Sequence, residues 1–198
     1  MMRRIPLLIF LLSYFLPQIA DGQDPVFSHV DANRLYYNPA FTGWDKGLRV
    51  AGGYRRQWPG IVSEYTAYNF SAEAQAFNIG GGIGLMLSQN TQGEGYLSRT
   101  RMGFCYSYQI VTRDYQLSFG TKVSSVRTSI DWSRLQFSDQ LDPVYGNVYQ
   151  TQALPPESPY RNFVDFDWGM ALRFKMKFGD FKSINTFGAS WLHSTRPD

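Results

Sequence analysis

Few residues in this chain could do covalent chemistry, because its 198 residues include two histidines and one cysteine. His29 and His193 lie far apart, and no nucleophile-elbow, zinc-protease or phosphate-loop motif accompanies them. Asp165 and Asp167 have the spacing that places two carboxylates on one face of a strand, where they could bind a cation. Basic residues follow in the same phase, so charge balance is the simpler interpretation. We predict no catalytic residue, no metal site, no cofactor and no small-molecule substrate.

A second group of candidate functional residues lies in the stretch 129–162. Asp139, Asp142 and Pro143 are typical of turns, and several aromatic residues add more apolar surface than a purely solvated loop needs. Two interpretations are open: the loop folds back over the protein, or it is a contact site. We treat Asp139, Asp142 and Pro143 as candidate partner-binding residues.

Seven segments that alternate between apolar and polar side chains must position these residues. Such alternation predicts β-strands, whose successive side chains point to opposite faces. None of the segments has helical periodicity. The segments are 47–57, 63–74, 79–89, 96–110, 115–128, 163–177 and 184–194.

The two phases of these segments differ in charge. One is apolar and aromatic and the other is small, polar and charged, which predicts an all-β, antiparallel up-and-down transmembrane β-barrel with about seven strands present. An arginine or lysine facing lipid costs about 2–4 kcal/mol near the midplane, so the register of each strand is strongly fixed. Predicted lipid-facing residues are Leu48, Tyr54, Phe104, Tyr106, Tyr108, Phe119 and Trp168. Predicted lumen-facing residues are Arg49, Arg55, Arg99, Arg101, Lys122, Asp165, Asp167 and Arg173.

The links between segments favour the same architecture. Links 75–78, 111–114 and 178–183 are short, 129–162 is long, and alternate links share one end of an up-and-down sheet. Outer-membrane barrels have short periplasmic turns and longer external loops. The alternative is a soluble secreted β-sandwich that binds surface glycans through exposed aromatic residues. Segment 96–110, at roughly 50 Å, is long for a sandwich strand.

The amino terminus predicts export. Two arginines precede the apolar run Ile5–Leu16, and Ala20-Asp21-Gly22 resembles a cleavage site, so residues 1–22 are a predicted signal peptide. An uncleaved anchor helix is the weaker alternative, because spanning a bilayer needs about 20 apolar residues. Removing the signal, which holds two basic residues and one acidic residue, leaves 17 basic and 15 acidic residues. This balance names no nucleic-acid partner, and the single Cys105 cannot form an intrachain disulfide.

The segment Gln23–Gly43 has no strand or helix periodicity, but it carries specific motifs. It contains Asp24-Pro25, Phe27-Ser28, Asn33 and Leu35, then Asn38-Pro39-Ala40 and Gly43. Further motifs follow in order: Tyr54-Arg55 with Gln57-Trp58, the Gly80–Gly84 strand, Asp139-Gln140 with Asp142-Pro143, and Ser190 with Leu192-His193. In this order they resemble the PorP/SprF family, outer-membrane proteins of the type IX secretion and gliding machinery.

The resemblance implies a non-catalytic outer-membrane β-barrel that supports export or surface attachment of large proteins such as adhesins. Its implied partners are other type IX secretion or gliding components, a secreted surface protein and outer-membrane lipid. Trp58 is also expected in a tight turn at the outer rim, in the interfacial aromatic belt or simply exposed. The further candidate partner-binding residues are Asp24, Pro25, Phe27, Asn33, Asn38, Pro39 and Trp58.

The expected organisation is a signal peptide (1–22), a periplasmic segment (23–46) and the N-terminal part of a barrel (47–198). Segment 23–46 either docks a partner, which we favour, or packs as a plug against the lumen. Family members are longer, and seven strands would leave two unpaired edges in lipid. We therefore expect the chain to be about the first half of a barrel, as a fragment or a truncated gene product.

Overall fold

A computed structural model describes residues 32–61, 64–93, 97–142, 144–178 and 181–195. The predicted signal peptide and the candidate residues Asp24, Pro25, Phe27, His29 and Pro143 lie outside these ranges.

The fold is almost entirely antiparallel β structure. The strands are β1 (Leu48–Gln57), β2 (Tyr65–Ala76), β3 (Gly81–Gln92), β4 (Leu97–Val111), β5 (Tyr115–Ile130), β6 (Leu141–Asp142), β7 (Gly146–Asn147), β8 (Tyr160–Phe178) and β9 (Phe181–Trp191). β6 and β7 form a small ribbon, and the other strands form one sheet in chain order that curls into a half-barrel. The predicted up-and-down partial barrel of seven strands is therefore confirmed.

Helical structure is minor. α1 (Arg34–Tyr37) is one turn long, and short 3₁₀ turns cover Pro39–Phe41, Phe77–Ile79, Trp132–Arg134 and Ser138–Gln140. Within the described ranges, no helix has the length and apolar content needed to cross a membrane.

Each predicted strand has at least one bound that differs from the observed one, by up to three residues, and the last two strands of the sheet show the cause. β8 begins at Tyr160 instead of 163, because Tyr160 pairs with Ser129 of β5 and shortens the loop between the two strands. β9 runs from Phe181 to Trp191 instead of 184–194, because the hairpin pairs Phe178 with Phe181. In both cases pairing with the neighbouring strand decides the end of the element.

The two faces of the large sheet have opposite character. Residues 32–47, which we call the inner segment, lie on one face, which we call the covered face; the other is the bare face. In the described residues, the buried set contains fifteen polar or charged residues and nine apolar ones, while large apolar side chains are exposed on the bare face. A water-soluble core has the reverse distribution.

The sheet curves around the inner segment. A Cβ added at Gly53 of β1 would lie 3.1 Å from Oδ1 of Asn33. Five residues later, Asn38 donates a hydrogen bond to the carbonyl of Ala189 in β9 at 3.1 Å. In a flat sheet these two strands would be about 29 Å apart, whereas five helical residues advance only about 7.5 Å. The covered face is therefore the concave side of the half-barrel.

A single curved sheet also decides between the two predicted architectures. A β-sandwich needs a second sheet packed across the first. The described residues form one large sheet and the small ribbon, and the inner segment occupies the face that a second sheet would cover. The β-sandwich alternative was wrong.

Candidate functional site: the buried interface beneath the inner segment

The inner segment folds locally because Asn38 ends one turn and begins the next. Its extended backbone, with φ −152° and ψ 113°, stops α1, and its side-chain oxygen accepts a hydrogen bond from the Ala40 N–H at 2.8 Å. Pro39 then occupies the first helical position, where a missing N–H costs nothing. The Asn-Pro-Ala motif is therefore a helix start.

The same asparagine fastens the segment to two strands. Its amide nitrogen donates to the carbonyls of Met170 in β8 and Ala189 in β9, both at 3.1 Å. Gly169 makes the approach possible, since a Cβ there would lie 2.0 Å from Oδ1 of Asn38. Asn38 is thus buried at the junction of the last two strands.

Polar side chains of the sheet satisfy the backbone of the inner segment. Ser118 donates to the Ala40 carbonyl at 2.6 Å. Ser107 and Gln109 donate to the Thr42 carbonyl at 2.6 and 2.8 Å. Buried carbonyls without a partner would cost free energy. These polar side chains of the covered face therefore stabilise the inner segment by supplying the donors.

Two glycines of the sheet let the segment backbone come close. A Cβ at Gly120 would lie 2.3 Å from the Ala40 nitrogen and the Pro39 carbonyl carbon. A Cβ at Gly82 would lie 2.3 Å from the Thr42 carbonyl oxygen. Backbone faces backbone at both positions, so a larger residue has no room.

One buried carboxylate anchors the start of the interface. Glu73 of β2 accepts hydrogen bonds from the Gly43 N–H at 2.8 Å and from Arg34, whose Nη2 lies 2.7 Å away. Arg49 of β1 adds a third contact at 3.0 Å. The other side of the Arg34 guanidinium contacts Asp45 at 2.6 Å. Charged residues of the inner segment therefore pair with the first two strands.

A second ionic cluster lies beneath α1. The Lys122 ammonium is 2.8 Å from Asp167 and donates to the Tyr36 carbonyl at 3.0 Å. Arg101 lies 3.2 Å from Asp165, whose other neighbour is the His193 ring. Lys122 and Asp167 are directly opposite on β5 and β8. Four buried charges of opposite sign thus balance one another.

This cluster also contains a possible set of metal ligands. Atoms of Asp165, Asp167 and His193 lie within 4.8 Å of one another. The ammonium of Lys122 and the guanidinium of Arg101 already neutralise the two carboxylates. The arrangement therefore fits ion pairs better than a cation site.

The predicted lumen-facing residues all lie on the covered face. Lys122, Asp165, Asp167 and Arg101 are buried, and Arg49, Arg55, Arg99 and Arg173 are partly buried. Arg173 stacks over the Trp44 ring of the inner segment at 5.0 Å. Contact with a water-filled lumen stays a prediction.

The predicted lipid-facing residues lie on the bare face. Leu48, Tyr54, Phe104, Tyr108, Phe119 and Trp168 are exposed there, and Tyr106 is partly buried. In the part of the chain that the structure describes, two charged residues share this face, both near the end that carries the long loop. Arg56 is paired with Glu64, and Arg127 lies 4.5 Å from the centre of the Tyr160 ring.

The candidate partner-binding residues are scattered. Asn33, Asn38 and Pro39 are buried between the inner segment and the sheet. Trp58 is 62% exposed, with a φ of 53°, in the turn that closes with a bond from Ile61 N–H to its carbonyl. Partner binding by these residues stays a prediction, and the packing of 32–47 follows the plug alternative.

The loop aspartates form local turns. The N–H groups of Tyr145 and Val144 donate to Asp142 at 2.9 and 2.8 Å and hold the pKa of its carboxyl below the ordinary value. The N–H of Gln152 does the same for the pKa of Asp139, at 2.7 Å. These aspartates shape the ribbon β6–β7 and the strand-free stretch after it.

Sequence reasoning missed several residues of the interface, among them Ser107, Gln109, Ser118 and Glu73. Each lies in the small, polar phase that was assigned to a lumen. The repeated glycines and serines of that phase were the available signal, since close backbone approach needs small side chains.

One family of known proteins matches the chain. The family model described as "Type IX secretion system membrane protein PorP/SprF" matches residues 19–185, most of the chain. The chain belongs to the PorP/SprF family. The matched region of this PorP/SprF protein includes the inner segment and every strand from β1 to β8. No curated protein and no solved structure matches the chain.

Proposed function

We propose that this PorP/SprF protein is a non-catalytic outer-membrane component of the type IX secretion or gliding apparatus. It supports export or surface attachment of large proteins such as adhesins through protein contacts. One observation carries the membrane placement: charges are buried on the concave face while aromatic and aliphatic residues cover the bare face. In this proposal the bare face contacts lipid and the concave face is the lumen.

The long loop is the proposed external contact surface. Val144 and Tyr145 are each 80% exposed and Leu154 is 87% exposed, far more than apolar residues that pack onto a protein. The short links at the other end are proposed to be periplasmic. Residues 1–22 are proposed to be a signal peptide; of the expected periplasmic segment 23–46, residues 32–46 pack against the concave face and are proposed to be a plug.

Fractionation tests the membrane placement. A tagged protein expressed from its own gene is expected in the outer-membrane fraction, released by detergent and with a mobility on gels that changes on heating. Recovery in the soluble periplasmic or culture fraction would contradict the proposal.

Affinity purification from detergent extracts tests the proposed role in the secretion or gliding apparatus. We expect other type IX secretion or gliding components, or a large secreted surface protein, to be recovered with the tagged protein. A variant lacking 144–158 should stay in the membrane and lose an external partner. If the intact protein recovers no such component, the proposed role is wrong even if the membrane placement holds.

A further inference from the structure

An unbalanced group of cations lies at the end of the sheet that carries the short turns. Arg113 is in the turn between β4 and β5, Lys175 and Lys177 are near the end of β8, and Lys182 is at the start of β9. Lys175 donates to the Arg113 carbonyl at 3.4 Å, and Lys177 is directly opposite Lys182. We call these four residues the basic rim.

The basic rim differs from several cations at the other end of the sheet. At the loop end, Arg56 pairs with Glu64 and Arg134 with Asp131. By contrast, no described carboxylate forms an ion pair with any residue of the basic rim, whose side chains are exposed. The nearby acidic residues in sequence are Asp114 and Asp180, the latter outside the described ranges, so the rim keeps a net positive charge.

Two lysines of the basic rim face each other across neighbouring strands, which makes the positive charge of the rim unfavourable without a ligand. Like charges directly opposite on neighbouring strands destabilise a sheet, and Lys177 and Lys182 are such a pair. An anionic ligand would relieve the repulsion. The structure thus contains a local electrostatic reason for an acidic partner.

The register shows which side of the sheet that partner would approach. Lys175 and Lys177 have the same phase as Ala171 and Arg173 of the covered face. The bare face at this end carries Met176, exposed, and the stacked rings of Phe174 and Phe187. Lipid headgroups would therefore contact the bare face of these strands, on the opposite side from the lysines.

One apolar residue lies among the cations. Ile184 is opposite Lys175 on the same face and is 65% exposed. A surface that combines several cations with an exposed aliphatic side chain fits a peptide with acidic and apolar residues better than a simple anion.

We propose that the basic rim binds an acidic segment of a partner protein at the mouth of the half-barrel on the short-turn side. This inference rests on the proposed function, because it takes that side to be the periplasmic one. It adds the chemical class of a partner and the surface that recognises it.

Binding of a labelled deca-glutamate peptide to the purified full chain in a neutral detergent tests the proposal by fluorescence anisotropy. We expect binding that weakens as salt rises. The variant K175Q/K177Q/K182Q should bind about tenfold more weakly, since each exposed ion pair contributes a few-fold. The variant K175R/K177R/K182R should bind like the native protein, because it keeps the charge.

A matched control separates the rim from net charge. R127Q/R134Q/R161Q removes the same charge at the loop end and should leave peptide binding unchanged. Equal weakening by both triple variants, or none by the first, would overturn the proposal. A gel shift on heating confirms that each variant is folded.

Vesicles containing phosphatidylglycerol test the competing ligand. If such vesicles, and not the peptide, distinguish the Gln variant from the native protein, the rim binds lipid and the proposal is wrong. Peptide binding is measured on purified protein, so it can fail while fractionation and affinity purification still support the proposed function.

Discussion

The side chain of Asn38 makes three hydrogen bonds, two of which join the inner segment to two strands of the sheet. One is internal and starts the turn at Pro39, and the other two reach the carbonyls of Met170 and Ala189. Because the residue is buried, water cannot replace these bonds without opening the interface. The conformation of the three-residue Asn-Pro-Ala motif and the attachment of the inner segment to β8 and β9 thus depend on one side chain.

Replacing Asn38 by alanine should destabilise the protein by roughly 1–3 kcal/mol, because buried carbonyls lose their donor. Urea unfolding of the protein in detergent, followed by the gel shift on heating, measures this loss. N147A is the control, since Asn147 is exposed in the ribbon. Equal unfolding midpoints for the two variants would contradict the role assigned to Asn38.

Gly120→Ala tests the close approach of the two backbones. Its Cβ would lie 2.3 Å from main-chain atoms of the inner segment, so we expect a loss of about 1–3 kcal/mol. Gly52→Ala is the matched control, because the nearest atom to its Cβ would be 3.9 Å away. The prediction fails if both variants unfold at the same urea concentration.

At the scale of elements, the contrast between the two faces fixes the register of the strands. Local turns fix the conformation of the long loop. β5 and β8 place Lys122 opposite Asp167 on the concave side, so a slip of either strand by one residue would turn the charge of that strand toward the bare face. The ribbon β6–β7 has no such constraint and depends on hydrogen bonds to Asp142.

The ribbon should therefore be sensitive to acid. The folded-state pKa of Asp142 is lowered by backbone N–H donors, so its contribution is present above the ordinary pKa of aspartate, about 3.9, and is lost as pH falls through the lowered value. Amide exchange of Val144 and Tyr145 measured against pH should show protection that disappears only in this acidic range. D142N should remove the pH dependence, and an unchanged profile in D142N would assign it to another group.

The described part of the molecule has the polarity of a membrane protein: most charges of the large sheet are inside its curve, and most of its large apolar side chains are outside. This distribution is a property of the complete sheet, because the polar faces of β4 and β5 are buried only when the inner segment and β8 are in place. The family match and the half-barrel agree with it.

A charge on the bare face should accordingly disturb membrane insertion. Phe104 is 52% exposed in the middle of β4, and Phe104→Arg is expected to cost about 2–4 kcal/mol if this face contacts lipid. The yield of heat-modifiable protein in the outer membrane measures the effect, with Phe104→Leu as control. Unchanged insertion of the arginine variant would show that Phe104 does not lie in the hydrocarbon region.

Strand positions and face polarity followed from the sequence alone, because a strand has a period of two and a charge on the wrong face is costly. This is why the segment around Phe104 and Arg101 was predicted to be a strand with two unlike faces, and why Lys122 and Asp167 fell in one phase. The motif order was enough to identify the family. The start of β8 was missed, because its pairing with Ser129 is a non-local contact.

The place of the inner segment was decided only by the tertiary structure. Asn38, Pro39 and Thr42 have no periodicity, and the hydrogen-bond partners of Asn38 and Thr42 in the sheet are between 65 and 151 residues away along the chain. Sequence could show that one phase is rich in glycine and serine, but not what fills the space above Gly120. What fills this space depends on the curvature of the seven paired strands. The curvature brings the first and the last strand close to the two ends of α1.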